Sequence, residues 1–175
     1  MNLTFHTPGG IEGESMRIIQ QELDEMGVTL DPDCADVVRR AIHTTADFDY
    51  AKNLIFTPGA ASAGAAALRS GTPIVTDTNM ARSGINQKAC TQFGVERFCY
   101  MADPEVAQAA KEHGTTRAVA AVDRWAQEHP NAIFAVGNAP TALLRMCELM
   151  EAGKLRPALV IAVPVGFVNV VESKE

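Results

Sequence analysis

Four short apolar runs, each bounded by turn residues and separated by helix-patterned sequence, constrain this chain more than any other feature. They are Asn53 to Thr57, Thr72 to Thr76, Ala132 to Val136 and Ala158 to Val163. A further strand is expected at Arg97 to Met101. Runs this short with so little polar alternation are the pattern of strands buried on both faces, as in a parallel sheet. Parallel neighbours need crossover connections, and the intervening sequence supplies helices for them. Helical spacing is read at Ile11 to Met26, from Asp31-Pro32 through Ile42, and from Pro58-Gly59 to near Gly71. It recurs at Asp103 to His113, Thr115 to Glu128 and from Gly137 to about Ala152. The expected fold is α/β: a three-layer α/β/α sandwich with a mainly parallel sheet of about five strands. Ligands of such sheets bind beyond the carboxyl ends of the strands. Attention therefore falls on Thr57 to Gly59, Asp77 to Gly84, Gly137 to Thr141 and Pro164 to Phe167.

The 175 residues are read as one domain, 1–175. A formal charge of −6 argues against a nucleic-acid partner, which needs a basic footprint. It also requires any acidic ligand to be met by local donors rather than by the overall field. No apolar run reaches the roughly 18 residues needed to span a bilayer. Met1 to Gly10 lacks the pattern of a signal peptide, so a cytoplasmic location and no membrane partner are expected. Cys34, Cys90, Cys99 and Cys147 form no CxxC pair and no zinc-finger spacing, and are read as reduced thiols. No metal site is expected.

His43 is the first candidate for chemistry. Cys34, Val37, Val38, Ala41 and Ile42 make one apolar stripe, whereas His43 falls about 180° from Cys34 at about 100° per residue. It therefore faces away from its own core, in the last turn of its helix, where the dipole favours an imidazolium. Two readings stand: a proton donor, or a solvated partner of the helix dipole. Arg117 opens a helix, where a cation opposes the dipole; a donor fork aimed at a carboxylate or a surface ion pair would explain it. Gly137-Asn138-Ala139-Pro140-Thr141 leads from a strand into a helix, and its free backbone N–H groups could hold an anion. Asn138 could equally act as an N-cap. Asp77, Met80, Arg82 and Gly84 follow a strand and could line a pocket, with Arg82 meeting an anion; a capped turn into a short helix is the plain alternative. Gly59 to Gly64 is an incomplete dinucleotide fingerprint, read as helix–sheet packing by small residues.

Taken together, several segments resemble the precorrin-8X (cobalt-precorrin-8) methylmutase family. They are Ile11-Glu12-Gly13-Glu14-Ser15-Met16 with Ile18-Ile19, Ala41-Ile42-His43-Thr44, Leu54 to Gly59 and Gly71 to Ile74. The series continues with Asp77, Met80 and Gly84, Gly114 to Arg117, Gly137 to Leu143, and Pro164 to Val168 with Glu172-Ser173-Lys174. The resemblance implies an isomerase of cobalamin (vitamin B12) biosynthesis that moves a methyl group from carbon 11 to carbon 12 of the macrocycle. It implies precorrin-8X or cobalt-precorrin-8 as substrate and hydrogenobyrinate or cobyrinate as product. No redox cofactor or metal catalyst is implied. The family's histidine maps onto His43, with Ser15 and Arg117 as its companions, and a homodimer is implied. Family members usually continue beyond the Glu-Ser-Lys segment, and Met16 stands where Phe is common. Two other readings are a non-catalytic corrinoid-binding protein of the same fold and a nucleotide-using enzyme. The first predicts tetrapyrrole binding without turnover, the second dinucleotide binding.

Overall fold

The computed structural model describes residues 8–175. They gather into two compact units, one running through Ser62 and the other starting at Ala63.

The first unit is a helical hairpin. Helix α1 (Pro8–Glu25) and helix α2 (Ala35–Thr45) are joined by turns, and a one-turn helix α3 (Tyr50–Asn53) follows. Ile19 and Leu23 of α1 pack with Cys34, Val38 and Ile42, and Met16, Phe48 and Tyr50 close around them. The expected stripes are wider than the core they serve. Val37 is 47% exposed, and Ile11, Ile18 and Met26 are exposed as well. A two-helix hairpin buries only the strip that faces its partner, so the flanks of each apolar stripe stay in water.

The expected helix start at Asp31-Pro32 is displaced. The Asp31 carboxylate accepts from the Asp33 N–H at 2.9 Å, and its carbonyl accepts from the Cys34 N–H at 3.1 Å. These bonds close a separate turn, so α2 begins only at Ala35. The expected strand at Asn53 to Thr57 is absent, and residues 54–57 are extended without a ladder. Leu54 and Phe56 turn into the hairpin core while Ile55 is 93% exposed. The alternation is that of a strand, but among the described residues no neighbouring strand lies alongside to accept its hydrogen bonds.

Helix α4 (Ala60–Arg69) spans the boundary at Ser62. The second unit then runs β1 (Ile74–Thr76), α5 (Asn79–Gly84), α6 (Gln87–Phe93), β2 (Arg97–Phe98), α7 (Pro104–Glu112) and α8 (Arg117–Glu128). It ends with β3 (Ile133–Val136), α9 (Pro140–Glu151) and β4 (Leu159–Ala162). Among the described residues four strands form one parallel sheet in the order β2-β1-β3-β4, with Ile74 beside Ile133 and Ile133 beside Leu159.

Alternate strand residues go to opposite faces. Val75, Phe134, Val136 and Val160 pack with residues of α7, α8 and α9, including Trp125, Leu143 and Met146. Ile74, Ile133 and Leu159 pack with Cys90 of α6 and with Ala67 and Leu68 of α4. Helices thus cover both faces, which is the expected three-layer α/β/α arrangement. Gly64 makes the fit of α4 possible: a Cβ there would lie 2.8 Å from Leu159 Cδ2. Gly59 to Gly64 is consistent with helix packing of this kind. Helix starts follow local chemistry, since Thr78, Asn86, Asp103 and Thr116 each cap the helix that follows with a side-chain oxygen.

Candidate functional site

In the second unit, β1 sits between β2 and β3, so the chain departs to opposite sides from β1 and returns past it. The carboxyl ends of β1 and β3 therefore form a topological switch point, the usual place for a ligand crevice in open α/β sheets. Asp77 follows β1 and Gly137 follows β3 at this point. The Asp77 carboxylate is 1% exposed and accepts three backbone hydrogen bonds, from Gly137 at 3.0 Å, Asn138 at 2.7 Å and Ala139 at 2.9 Å. This corrects the expectation that these N–H groups are free for an incoming anion. The chain supplies its own anion, and a buried carboxylate satisfied by three donors locks the loop ahead of α9. Three of the acceptor sites of Asp77 are thus committed to this loop.

What the locked loop presents are its outer groups. Asn138 is exposed, and Ala139, the residue before α9, and Thr141, in its first turn, are half-buried. Asn138 and Thr141 have no side-chain hydrogen bond to any described residue. Met80 is 83% exposed on α5, with Arg82 and Gly84 exposed beside it. The plain alternative for this segment is also seen, because Thr78 caps α5 by accepting from the Ala81 N–H at 3.0 Å. Sequence reasoning missed the residue that fixes α5. Arg97 of β2 donates from one guanidinium nitrogen to the carbonyls of Arg82 at 3.2 Å and Ile85 at 2.7 Å. An Arg in a short strand carries no local sign of that long-range role.

Arg117 is exposed at the start of α8 and makes no ion pair with any described residue. Helices α8 and α9 lead into β3 and out of it, and Arg145 of α9 meets Asp123 of α8 at 2.7 Å. Both residues lie about halfway along their helices. The start of α8 therefore falls at the same sheet edge as the Gly137 loop. Arg117, Asn138, Thr141 and the α5 residues share the carboxyl edge of the sheet.

In the first unit, the two-helix connection makes α1 and α2 antiparallel. The first turns of α1, with Glu12 and Ser15, lie beside the last turns of α2, with Arg40 and His43. The Arg40 guanidinium and the Glu12 carboxylate meet at 2.7 Å across the hairpin. Glu12 is held below the usual carboxylate range by its hydrogen bond to Arg40 and by the charge of Arg40, with a further contribution from the charge of His43. His43 is exposed, as its helical position implied. Its helix stops immediately afterwards. Ala46 takes a left-handed conformation with φ 56° and donates to the Ile42 carbonyl at 2.7 Å. The hydroxyls of Thr44 and Thr45 donate to the carbonyls of Arg40 and Ala41. Ser15 is half-buried, and its hydroxyl donates to the Ile11 carbonyl at 2.9 Å, which leaves its oxygen able to accept. An open groove of about 780 Å³ between the helices is lined by Met16, Arg17, Asp36, Val37, Arg39 and Arg40.

Among the described residues no group of three His, Cys, Asp or Glu side chains converges as a metal site. None of the described helices is long and apolar enough to cross a membrane.

These features define a parallel α/β protein with a switch-point edge and a histidine-bearing helical hairpin. The precorrin-8X methylmutase family model matches residues 10–175. A cobalt-precorrin-8 methylmutase of Priestia megaterium is 40% identical over 168 residues, 96% of this chain and 74% of the relative. The corresponding protein of Salmonella typhimurium is 47% identical over 140 residues, 79% of this chain and 65% of the relative. Among solved structures, a precorrin-8X methylmutase from Thermus thermophilus superposes with a TM-score of 0.84 at 44% identity, covering 94% of this chain and 79% of that one. The chain belongs to the precorrin-8X methylmutase family.

Proposed function

We propose that this chain is an isomerase that moves a methyl group from carbon 11 to carbon 12 of precorrin-8X or cobalt-precorrin-8 in cobalamin biosynthesis. The product is hydrogenobyrinate or cobyrinate. The observation that carries this reading, beside the family membership, is His43. It is exposed at a helix C-terminus, on the hairpin surface that also bears Ser15, Arg40 and Glu12.

The reaction is an isomerisation, so no atom is gained or lost. The bond from the methyl carbon to carbon 11 breaks as its bond to carbon 12 forms. His43 lends a proton to the macrocycle, which makes the ring a better electron acceptor during the shift, and takes the proton back afterwards. The remaining task is to hold one geometry, which is a matter of positioning. Ser15 and Arg117 orient the substrate. Arg82, Asn138, Ala139, Thr141, Met80 and Gly84 contribute further contacts, and Asp77 acts through the loop it fixes. We assign the whole chain to one functional domain that works in the cytoplasm as a homodimer. The exposed position of His43 supports a dimeric arrangement.

The test is the visible spectrum of the purified protein mixed with precorrin-8X or its cobalt form. Conversion to the rearranged corrinoid is expected. Binding without conversion would leave a corrinoid-binding protein and end the enzymatic reading.

A further inference from the structure

Helix α5 has six residues, and a helix of that length does not hold itself in water. Both of its ends are fixed from the sheet. At the front, Thr78 caps the helix, and the Thr76 hydroxyl of β1 lies 2.9 Å from the Thr78 carbonyl and 3.3 Å from the Phe98 carbonyl of β2. At the back, one guanidinium nitrogen of Arg97 donates to the carbonyls of Arg82 and Ile85, at 3.2 and 2.7 Å. A helix end leaves such carbonyls without an internal partner, and the helix dipole favours a cation beside them. The reach follows from the strand register. Arg97 stands beside Ile74, so it shares the sheet face on which Ile85 packs.

Two arginines thus divide one task. Arg97 spends its donors on the backbone of α5. Arg82 has its carbonyl held by that bond, while its guanidinium is exposed and pairs with no described residue. Its free fork matches a carboxylate, which accepts two parallel N–H bonds. Met80, 83% exposed, offers apolar surface on the same short helix. A backbone fixed before the ligand arrives leaves less order to be imposed on binding, so the affinity of Arg82 for an anion depends on how firmly α5 is held. A net charge of −6 makes such local donors necessary for any acidic ligand.

We propose that Arg97 is a positioning residue for substrate binding: by clasping the carbonyls of Arg82 and Ile85 it sets α5 so that the Arg82 guanidinium meets an acidic side chain of the macrocycle. This rests on the corrinoid reading above. Arg97 touches no substrate and acts through Arg82, and the proton chemistry stays with His43.

The experiment is a double-mutant cycle read by visible-absorbance titration of the folded protein with hydrogenobyrinate at fixed ionic strength. Parent, Arg82→Met, Arg97→Met, Arg97→Lys, the double variant Arg82→Met with Arg97→Met, and Lys88→Met are compared. Arg82→Met is expected to weaken binding about tenfold, since a charge-assisted contact is lost. Arg97→Met is expected to weaken it about fivefold, since α5 is released. The double variant is expected to bind about tenfold more weakly than the parent, not about fiftyfold, because releasing α5 matters only while Arg82 is there to be placed. Arg97→Lys keeps one donor for the carbonyls and is expected to weaken binding about twofold. It remains readable if the Met variant fails to fold. Lys88→Met removes an exposed cation from the neighbouring helix α6 and is expected to bind as the parent does. With saturating precorrin-8X, Arg97→Met is expected to turn over at the parent rate. Parent-like binding by both Arg97 variants, multiplied losses in the double variant, or a saturating rate that falls as far as the binding does would overturn the assignment of Arg97 while leaving the enzymatic reading intact. Equal weakening by Lys88→Met would overturn it too, by reducing the effect to overall charge. A parent protein that does not bind the corrinoid at all would overturn both.

Discussion

The Asp77 loop and the His43 hairpin end both gather polar groups, and they spend them in opposite ways. Asp77 is buried, and all three donors around it are satisfied within the chain. The hairpin end is exposed. His43 and the acceptor side of Ser15 are left for something else. A buried polar group must be paired internally because no water can pair it. An exposed one can stay open at little cost, because water fills in until a ligand arrives. The comparison separates two uses of polar groups: charge at the switch point fixes a loop, and His43 at the hairpin end is left exposed.

Removing the scaffold charge should have the largest effect on stability. Asp77→Ala strands three backbone N–H groups, and urea denaturation should show a loss of about 3 kcal/mol. A loss below about 0.5 kcal/mol would mean that the loop does not depend on its internal anion.

Arg97 holds the end of α5 from within the same unit. Arg97→Ala should cost about 1–2 kcal/mol by the same measurement, since it strands two carbonyl acceptors. Hydrogen exchange should quicken first in α5. Uniform exchange across the sheet unit would break the link between Arg97 and the Met80 to Gly84 segment.

On the hairpin, Ala46 bears a left-handed backbone that glycine adopts without penalty. Ala46→Gly should raise stability by about 0.5 kcal/mol. Placed beside the Asp77 variant, it asks whether the hairpin end tolerates change that the switch point does not.

The smallest effects concern a second internally paired cluster in the sheet unit. The Tyr100 hydroxyl donates to Glu128 at 2.6 Å, Arg124 donates to Glu128 at 2.6 Å, and a His129 ring nitrogen lies 2.9 Å from the Tyr100 hydroxyl. Burial pushes the Tyr100 phenol well above its usual 10.0, with the hydrogen bond to Glu128 adding to it. The Tyr100 hydrogen bond, followed by Arg124, holds Glu128 below its usual 4.5. The signs give two windows. The Tyr100 contribution is complete below pH 10.0 and is lost as pH rises toward the folded value. The Glu128 contribution is present above pH 4.5 and is lost as pH falls through its lowered value. The melting temperature should therefore fall at both extremes, and Tyr100→Phe should flatten the alkaline limb. An unchanged alkaline limb in that variant would remove Tyr100 as the cause.

Much of this was legible in the sequence wherever the signal is local. The apolar runs at 132–136 and 158–163 are strands, and helices begin close to Asp103 and Thr115 as read. The exposure of His43 followed from helical spacing alone. What failed depends on partners distant in the chain. Leu54 to Phe56 has a strand's alternation, but a strand also needs a neighbour, and periodicity does not say whether one exists. Gly137 to Ala139 has the composition of an anion-binding turn and does bind one. That the anion is Asp77, 60 residues earlier, is a fact of the parallel pairing of β1 with β3. Arg97 and the Glu12–Arg40 tether were missed for the same reason.

The most direct test of the central claim is turnover by His43→Ala, measured with precorrin-8X in single-turnover absorbance and accompanied by a melting curve. An exposed, chemically free His43 predicts an unchanged melt and a rate reduced by about 10²- to 10⁴-fold. A variant that rearranges the substrate at the parent rate would contradict the claim that the open groups at the hairpin end carry the chemistry.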